Sequence, residues 1–428
     1  MPQNVLHVFF NNEPCGILES VSHGHAGYHL EFSYLPNWKK FPLSPHLPLG
    51  EIHSGYPVWY FFRNLMPEGK LLEVVACAMN MSQQDVFRFL SAFGKDCPGA
   101  ISLHRESSLP APSYVSLDIE RLRRYLPDGP PDPKDEYISA GPQKLYFFGG
   151  KPRMSLAGAQ DKLAIALDSD RSFLLPEGSA PSTHIIKSAC SAEYPYCVLN
   201  EHIIMSLAHR MGLPVARTEI ISIPEKILLV ERFDRKDGKR IHQIDGCQFF
   251  GELPDRKYES TVLGPVGLNA EHFFEFARAC NAEEIVLRWL IFNFLSGNTD
   301  CHAKNISCFV NENGYELTPF YDLLCTAVYG QYEMAFSIGG EDHLGLIDRD
   351  RWQELALTCK LDEDSLFTTM LEMASAMPEA FRELKDSLSL SEDERAFASE
   401  LEKLIQKQCQ QAAQYAVLNS APCPAPSS

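Results

Sequence analysis

The 428-residue chain has no pair of cysteines at CxxC spacing, and its thirteen cysteines show no matched Cys/His ligand spacing. That excludes a recognisable zinc site or disulfide frame and predicts reduced thiols. Basic residues are in short supply, 38 Lys and Arg against 56 Asp and Glu for a net charge of −18. The chain as a whole should therefore be repelled by nucleic-acid phosphates, so that DNA would be met only through a basic partner. The N-terminus lacks a basic segment followed by an apolar core, and the longest apolar run, Ile285 to Leu295, is broken by Arg288 and Asn293. Neither an export signal nor a membrane span is expected, which implies a cytoplasmic chain. No GxxxxGK[ST] phosphate loop occurs either.

What is present suits a soluble α+β protein. Hydrophobic residues make up 45% and charged residues 22%, a balance that can bury a sizeable core in two to three units. Tyr28, Leu30, Phe32 and Tyr34 alternate with polar residues as a half-buried strand does, and Asn11 and Asn12 suit a tight turn before it. Helices are expected over Val58–Leu65, Leu71–Met79 and Gln83–Phe93. A proline-rich, charged connection follows over 105–153. Leu163–Leu167, Thr183–Lys187 and Ile220–Phe233 read as strands, the last a hairpin turning at Pro224 to Lys226. Beyond them the chain reads as helical: Glu271–Ala279, an apolar Ala282–Ser296, then Arg351–Thr358, Asp364–Met373 and Pro378–Leu388. A final helix is opened by a Ser391/Glu394 capping box. Arg240–Gln248, with His242, Gln243 and Asp245, reads as a loop. The tail APCPAPSS is expected to be disordered.

The chemistry gathers in Leu290 to Asp322. Asp300 follows the apolar helix, Asn305 comes five residues later, and Asp322 follows a short hairpin. Singly, each of these residues suits a turn or a cap. Together they match what phosphoryl transfer from ATP needs: a carboxylate for the attacking hydroxyl, and a carboxamide and a second carboxylate for Mg²⁺. Upstream, MSLAGAQDK from Met154 to Lys162 is a small-residue turn that could bring backbone amides to phosphate oxygens. Lys187 ends a strand where a phosphate-pairing lysine would stand, with Glu201 on the next helix as a candidate partner or a helix-dipole charge. Glu231 to Phe233 leave a buried strand where an adenine-reading hinge would lie.

In order, MSLAGAQDK, PEGSAPSTHIIK, VERFDR, GNTDCHAKN and LTPFYD resemble the successive motifs of the HipA family of bacterial serine/threonine kinases, toxins of toxin–antitoxin modules. FFRNLMPEG and FGKDCPGAISL are similar to that family's N-terminal subdomain. The resemblance implies a two-lobed protein-kinase-like fold of HipA type with a small β-rich N-terminal subdomain and an all-α C-terminal lobe. Its expected divisions are 1–110, a linking segment 111–153, an N-lobe 154–235, a C-lobe 236–418 and a tail 419–428. It implies Asp300 as catalytic base and Asn305 and Asp322 as Mg²⁺ ligands. ATP would be held by Ala157, Gly158, Ala159, Gln160, Asp161, Lys162, Lys187, Glu231, Arg232, Phe233, His302, Lys304 and Tyr321, and Ser155 would be autophosphorylated. The implied partners are a translation-machinery substrate, such as an aminoacyl-tRNA synthetase, and a small helix-turn-helix antitoxin. Two departures stand out: Ile244 where an acidic residue is expected, and Cys301 where glycine is common. The residues alone leave open a nucleotide-binding pseudokinase or co-repressor scaffold, and a small-molecule phosphotransferase.

Overall fold

In a computed structural model, residues 4–22, 28–123, 126, 162–188, 193–223, 225–260 and 267–417 are described. The chain divides into two compact units, one of residues 1–198, 216–255 and 306–318 and the other of 199–215, 256–305 and 319–428. Both are mixed in kind. The first unit thus takes in the whole N-terminal region, the expected N-lobe except 199–215, and a hairpin that had been expected in the C-lobe.

The first unit holds two main sheets. One has the order β4-β3-β2-β1-β5, from β1 (Val5–Phe10), β2 (Glu13–Ser22), β3 (Tyr28–Tyr34), β4 (Ile52–Ser54) and β5 (Ile101–His104). Phe10 faces Glu13 across the first turn, and Asn11 takes the left-handed conformation there (φ 54°), which asparagine tolerates better than most residues. Helices α1 (Tyr56–Arg63), α2 (Gly69–Ala78) and α3 (Val86–Phe93) follow β4. Asp85 caps α3 by accepting from the Arg88 amide, which is why this helix starts later than Gln83.

The second sheet has the order β10-β11-β9-β7-β8-β6, from β6 (Ser113–Ser116), β7 (Lys162–Leu167), β8 (Phe173–Glu177), β9 (His184–Lys187), β10 (Thr218–Ser222) and β11 (Lys226–Glu231). The period of two sends Leu163, Ile165, Ile186, Ile227 and Leu229 to one face, where they form a core with Leu117 and Leu122 beside the short helix α4 (Ile119–Arg123). Lys162, Ala164, Ile185 and Lys187 face the other way.

The Arg240–Gln248 stretch is ordered rather than a loop. After a short ribbon of β12 (Arg235–Lys236) and β13 (Lys239–Arg240), β14 (Gln243–Asp245) pairs with β15 (Ser307–Asn311), which pairs with β16 (Gly314–Leu317). Asp245 then opens α6 (Gly246–Phe250) with a capping box completed by Gln248. Polar residues at 242 and 245 read as a loop because they serve a buried hydrogen bond and a helix cap, which periodicity does not register.

The second unit is helical, with one β-ribbon of β17 (Glu333–Ile338) and β18 (Glu341–His343). The C-terminal part is therefore not all-α. Most of α5 (Cys197–Arg210) lies here, with α7 (Ala270–Ala279), α8 (Glu283–Ser296), α9 (Arg349–Cys359), α10 (Glu363–Ser387) and α11 (Glu392–Val417). From Val286 to Ser296 only Arg288 is not buried in α8, as a helix apolar on every side requires. Trp289 stacks on Phe320 at 5.4 Å and Phe273 at 5.7 Å. Two helices expected at Asp364–Met373 and Pro378–Leu388 are one, α10, with Pro378 inside it. Met370, Met373, Met377 and Phe381 form one continuous buried stripe across that proline, and this packing outweighs the missing amide. Ser391 and Glu394 exchange the expected capping bonds at the start of α11.

Among the described residues ten cysteines are free thiols, and the nine buried ones act as small hydrophobic residues. Cys197 departs from the expectation of reduced thiols, being disulfide-bonded; pairing depends on spatial approach, which sequence spacing does not reveal. Among the described residues no helix is long and apolar enough to cross a membrane.

Candidate active site

In the second unit the candidate catalytic loop is built from the end of α8. Gly297 terminates the helix in the left-handed conformation (φ 68°). A Cβ there would stand 3.0 Å from Ala327 Cβ and 3.2 Å from Cys325 Sγ, so both the backbone angle and the close approach favour glycine. An asparagine relay then carries the helix's geometry into the loop. Asn293 Nδ2 donates to the Trp289 carbonyl at 2.8 Å, Asn298 Nδ2 to Asn293 Oδ1 at 2.7 Å, and the Asp300 amide to Asn298 Oδ1 at 3.2 Å. Asn293 and Asn298 are fully buried. Thr299 is pinned by its amide and hydroxyl to Thr326 Oγ1, both at 2.7 Å.

This scaffold holds the Asp300 side chain 41% exposed, open to an incoming group. Tyr258 Oη donates to Asp300 Oδ1 at 2.8 Å, and His302 Nε2 lies 4.0 Å from the same oxygen, with its ring edge-on to Tyr258 at 5.1 Å. Asn305 Nδ2 donates to the Asp300 carbonyl at 2.9 Å. Its amide nitrogen is thereby fixed, and the oxygen is the group it can present to a cation. Tyr321 Oη donates to the Lys304 carbonyl at 2.7 Å, tying the residue before Asp322 to the residue before Asn305. Asp322 itself is held in the left-handed region (φ 59°), a strained setting for a non-glycine residue. The structure thus brings Asp300, His302, Lys304, Asn305, Tyr321 and Asp322 into one loop cluster.

Two oxygen donors suit Mg²⁺, which keeps several waters and takes one or two carboxylates plus phosphates rather than a protein cage. Among the described residues no group of three or more His, Cys, Asp or Glu converges on a metal position. Cys301 is fully buried, and burial with the neighbouring Asp300 charge pushes its thiol well above the ordinary range. It fills space beside the loop and offers no thiolate.

In the first unit Lys162 opens β7 directly opposite Lys187, the last residue of β9. The two lysines are 9% and 7% exposed and share one face of the sheet. In the next pair on that face, Ala164 stands opposite Ile185. At the end of β11 the Glu231 amide donates to the Arg217 carbonyl and the Arg232 amide to the Thr183 carbonyl, each at 2.9 Å. Glu231 is exposed, whereas Phe233 packs edge-on against Phe309 at 6.0 Å. The Arg232 side chain and amide are taken up by protein partners, so only its backbone carbonyl is left for a ligand. Ser155 and Ala157 to Asp161 lie outside the described residues. Glu201 is buried in α5 of the second unit and Lys187 in the first.

Ile244 is fully buried and pairs with Cys308 in the β14–β15 ladder. An acid there would carry a buried charge, and the burial removes this position from any surface that meets a substrate. His242 is structural too: its Nε2 lies 2.9 Å from the Leu43 carbonyl, and burial lowers its pKa to about 4. Tyr258 and the Asn293–Asn298 relay had escaped the sequence reading. Tyr258 stands 42 residues before Asp300 with no local pattern to link them, although asparagines at 293 and 298 inside an apolar helix and its cap were a visible anomaly.

Comparison with known proteins agrees with this layout. Residues 154–381 match the model of the HipA-like C-terminal domain, and residues 6–104 that of the HipA N-terminal domain. The chain belongs to the HipA family. It is 30% identical over 401 residues to the serine/threonine-protein kinase toxin HipA of Shewanella oneidensis, covering 88% of this chain and 89% of that one. A kinase-named relative of Sinorhizobium fredii, Y4mE, is 34% identical over 376 residues, covering 83% and 86%. Among solved structures, the Shewanella oneidensis HipA in complex with HipB and its operator DNA superposes with a TM-score of 0.82 at 29% identity, covering 96% of this chain and 98% of that one. The HipA kinase fold, mixed α+β with a helical C-terminal part, is therefore that of this chain, and the enzyme class is serine/threonine-protein kinase.

Proposed function

We propose that this HipA-family chain transfers the γ-phosphoryl group of ATP, with Mg²⁺, to a serine or threonine hydroxyl of a protein. The observation that carries the reading is the Asp300 carboxylate, accessible yet oriented by Tyr258, with Asn305 tied to its carbonyl and Asp322 joined to the same loop through Tyr321. Asp300 accepts the proton of the attacking hydroxyl. Tyr258 fixes which carboxylate oxygen is engaged, so that the other faces the acceptor. Asn305 and Asp322 would hold Mg²⁺, which supplies charge neutralisation at the phosphates when bound. Lys162 and Lys187 are the basic groups for the triphosphate, and the backbone from Glu231 to Phe233 meets the adenine. His302, Lys304, Tyr321 and the small-residue segment Ala157 to Asp161 are further nucleotide-binding residues in this reading.

The substrate is a component of the translation machinery such as an aminoacyl-tRNA synthetase, and Ser155 is an autophosphorylation site that lowers activity. A phosphate of about −2 charge beside amides meant for ATP competes with the nucleotide. A small basic helix-turn-helix antitoxin is the partner. The relative solved with HipB and operator DNA supports this, and a net charge of −18 favours DNA contact through that partner alone. The setting is cytoplasmic.

The test is phosphate transfer from labelled ATP with Mg²⁺ and cell lysate, comparing wild type with Asp300→Asn and mapping phosphopeptides by mass spectrometry. Label on Ser155 and on one dominant lysate protein, lost in the variant by about 10²- to 10⁴-fold as general-base removal gives, is the expected result. ATP binding without transfer to protein in either form would overturn it.

A further inference from the structure

The sequence motif FGKDCPGAISL places Asp96 in the HipA N-terminal domain, outside the C-terminal kinase domain that carries the nucleotide-binding residues. In the first unit that carboxylate is buried and reaches both segments on which the nucleotide reading depends. Asp96 Oδ2 accepts from Ser182 Oγ at 2.6 Å and from Arg232 Nη1 at 3.4 Å, and Arg232 Nη1 also donates to Ser182 Oγ at 2.9 Å. Ser182 stands two residues before β9, the strand that ends on Lys187. Arg232 follows β11 directly and is the middle residue of the hinge.

The rest of the Arg232 fork is filled by Asp234, through Nε at 2.9 Å and Nη2 at 2.8 Å, and by the Cys97 carbonyl at 3.1 Å. Arg235 closes the cluster, donating to Asp96 Oδ1 and the Cys97 carbonyl, both at 2.9 Å, and to the Gly99 carbonyl at 2.9 Å. The Gly99 amide donates to Asp234 Oδ2 at 2.8 Å. Two carboxylates thus face three buried guanidiniums, counting Arg240, 3.3 Å from Asp96. Such a network fixes one geometry, because every member is costly to leave unpaired.

We propose that Asp96 is a positioning residue for nucleotide binding, setting through Arg232 and Ser182 the hinge Glu231–Phe233 and the strand that carries Lys187. The proposal rests on the nucleotide reading given above. It means that the N-terminal domain completes the ATP site without touching ATP. Loss of Asp96 acts on KM for ATP rather than on the phosphoryl-transfer step, whose residues lie in the other unit.

The experiment compares wild type, Asp96→Asn, the milder Ser182→Ala and Asp85→Ala in the full-length protein. Asp85 caps α3 in the same N-terminal domain and serves as control for general destabilisation. Two readouts are taken: kcat and KM for ATP, and amide hydrogen exchange of the 228–235 segment without nucleotide. Ser182→Ala should raise KM about three- to ten-fold, the effect of losing one ordinary intramolecular hydrogen bond, with kcat within about two-fold. Asp96→Asn should raise it further, and both should speed exchange at 228–235, whereas Asp85→Ala leaves KM unchanged. Wild-type KM and exchange in folded Ser182→Ala and Asp96→Asn would overturn the proposal, and so would an equal rise in KM for Asp85→Ala. Should Asp96→Asn fail to fold, Ser182→Ala decides. A wild type that binds no ATP would remove the reading of the nucleotide site, and the exchange comparison would still confirm or remove the hold of Asp96 on these segments.

Discussion

Asp300 illustrates how a reactive side chain is kept both open and oriented. Its backbone is fixed from below by Asn298 and from the side by Asn305, so that the only rotatable part is the carboxylate, and Tyr258 restrains that. Tyr258→Phe keeps the ring against His302 but removes the hydrogen bond to Oδ1. We expect kcat to fall about ten-fold, the effect of one hydrogen bond to a charged group, with KM for ATP within about two-fold, as steady-state transfer assays would show. A fall comparable to that of Asp300→Asn would mean that Tyr258 itself handles the proton. At this scale the sequence was legible where the chemistry is dense, at Asp300, Asn305 and Asp322. It was silent on Tyr258, because a partner brought in by folding leaves no local periodicity.

Among the elements, α8 was readable because a helix apolar on every side has only one stable home. Strands β7, β9 and β11 were readable for the same reason, their alternation dividing a core face from the lysine face. Two elements misled. Arg240–Gln248 carries polar residues that serve a capping box and a bond to Leu43, so its burial was hidden. In α10, Pro378 had signalled a break, since proline lacks the amide and crowds the preceding turn. The buried stripe Met373, Met377, Phe381 carries the helix through it. Pro378→Ala restores the amide without touching that stripe, and it should stabilise the protein by about 1–3 kcal/mol on helix propensity, seen as a higher midpoint in thermal or urea unfolding. A drop in stability would mean that a kink at Pro378 is required by the packing of α10 on α11. The cap of α7 gives the opposite sign: Asn269 accepts from the His272 amide, and Asn269→Ala should cost about 1 kcal/mol in the same measurement.

At the scale of the whole molecule, two buried histidines give the protein a pH-dependent stability. His104 and His242 are each 2% exposed, and each has its pKa lowered to about 4, chiefly by burial. Lys95 and Arg240 push His104 further down, whereas the Leu43 carbonyl opposes the shift at His242. Both rings therefore stay neutral in the fold down to about pH 4, while in the unfolded chain they protonate near the ordinary value of about 6.5. Between these limits the unfolded state binds more protons than the folded one, so stability rises with pH across the window and falls as pH drops from 6.5 toward 4. The carboxylates of Asp96 and Asp234 are shifted down by their arginine partners. Their contribution begins to be lost as pH nears the unfolded carboxylate value of about 3.9, and it is common to wild type and His242→Gln, so the comparison of the two isolates the histidine effect. For His242 the slope is at most about 1.4 kcal/mol per pH unit. Urea unfolding of wild type and His242→Gln at pH 4.5, 5.5, 6.5 and 7.5 should show the variant losing less stability than wild type as pH falls from 6.5 to 4.5. The difference between them should flatten out by about pH 7.5, a unit above the unfolded value, where neither state carries the proton at this position. Parallel curves throughout would mean that His242 takes up its proton in the fold as readily as in the unfolded chain, and that its bond to Leu43 compensates the burial.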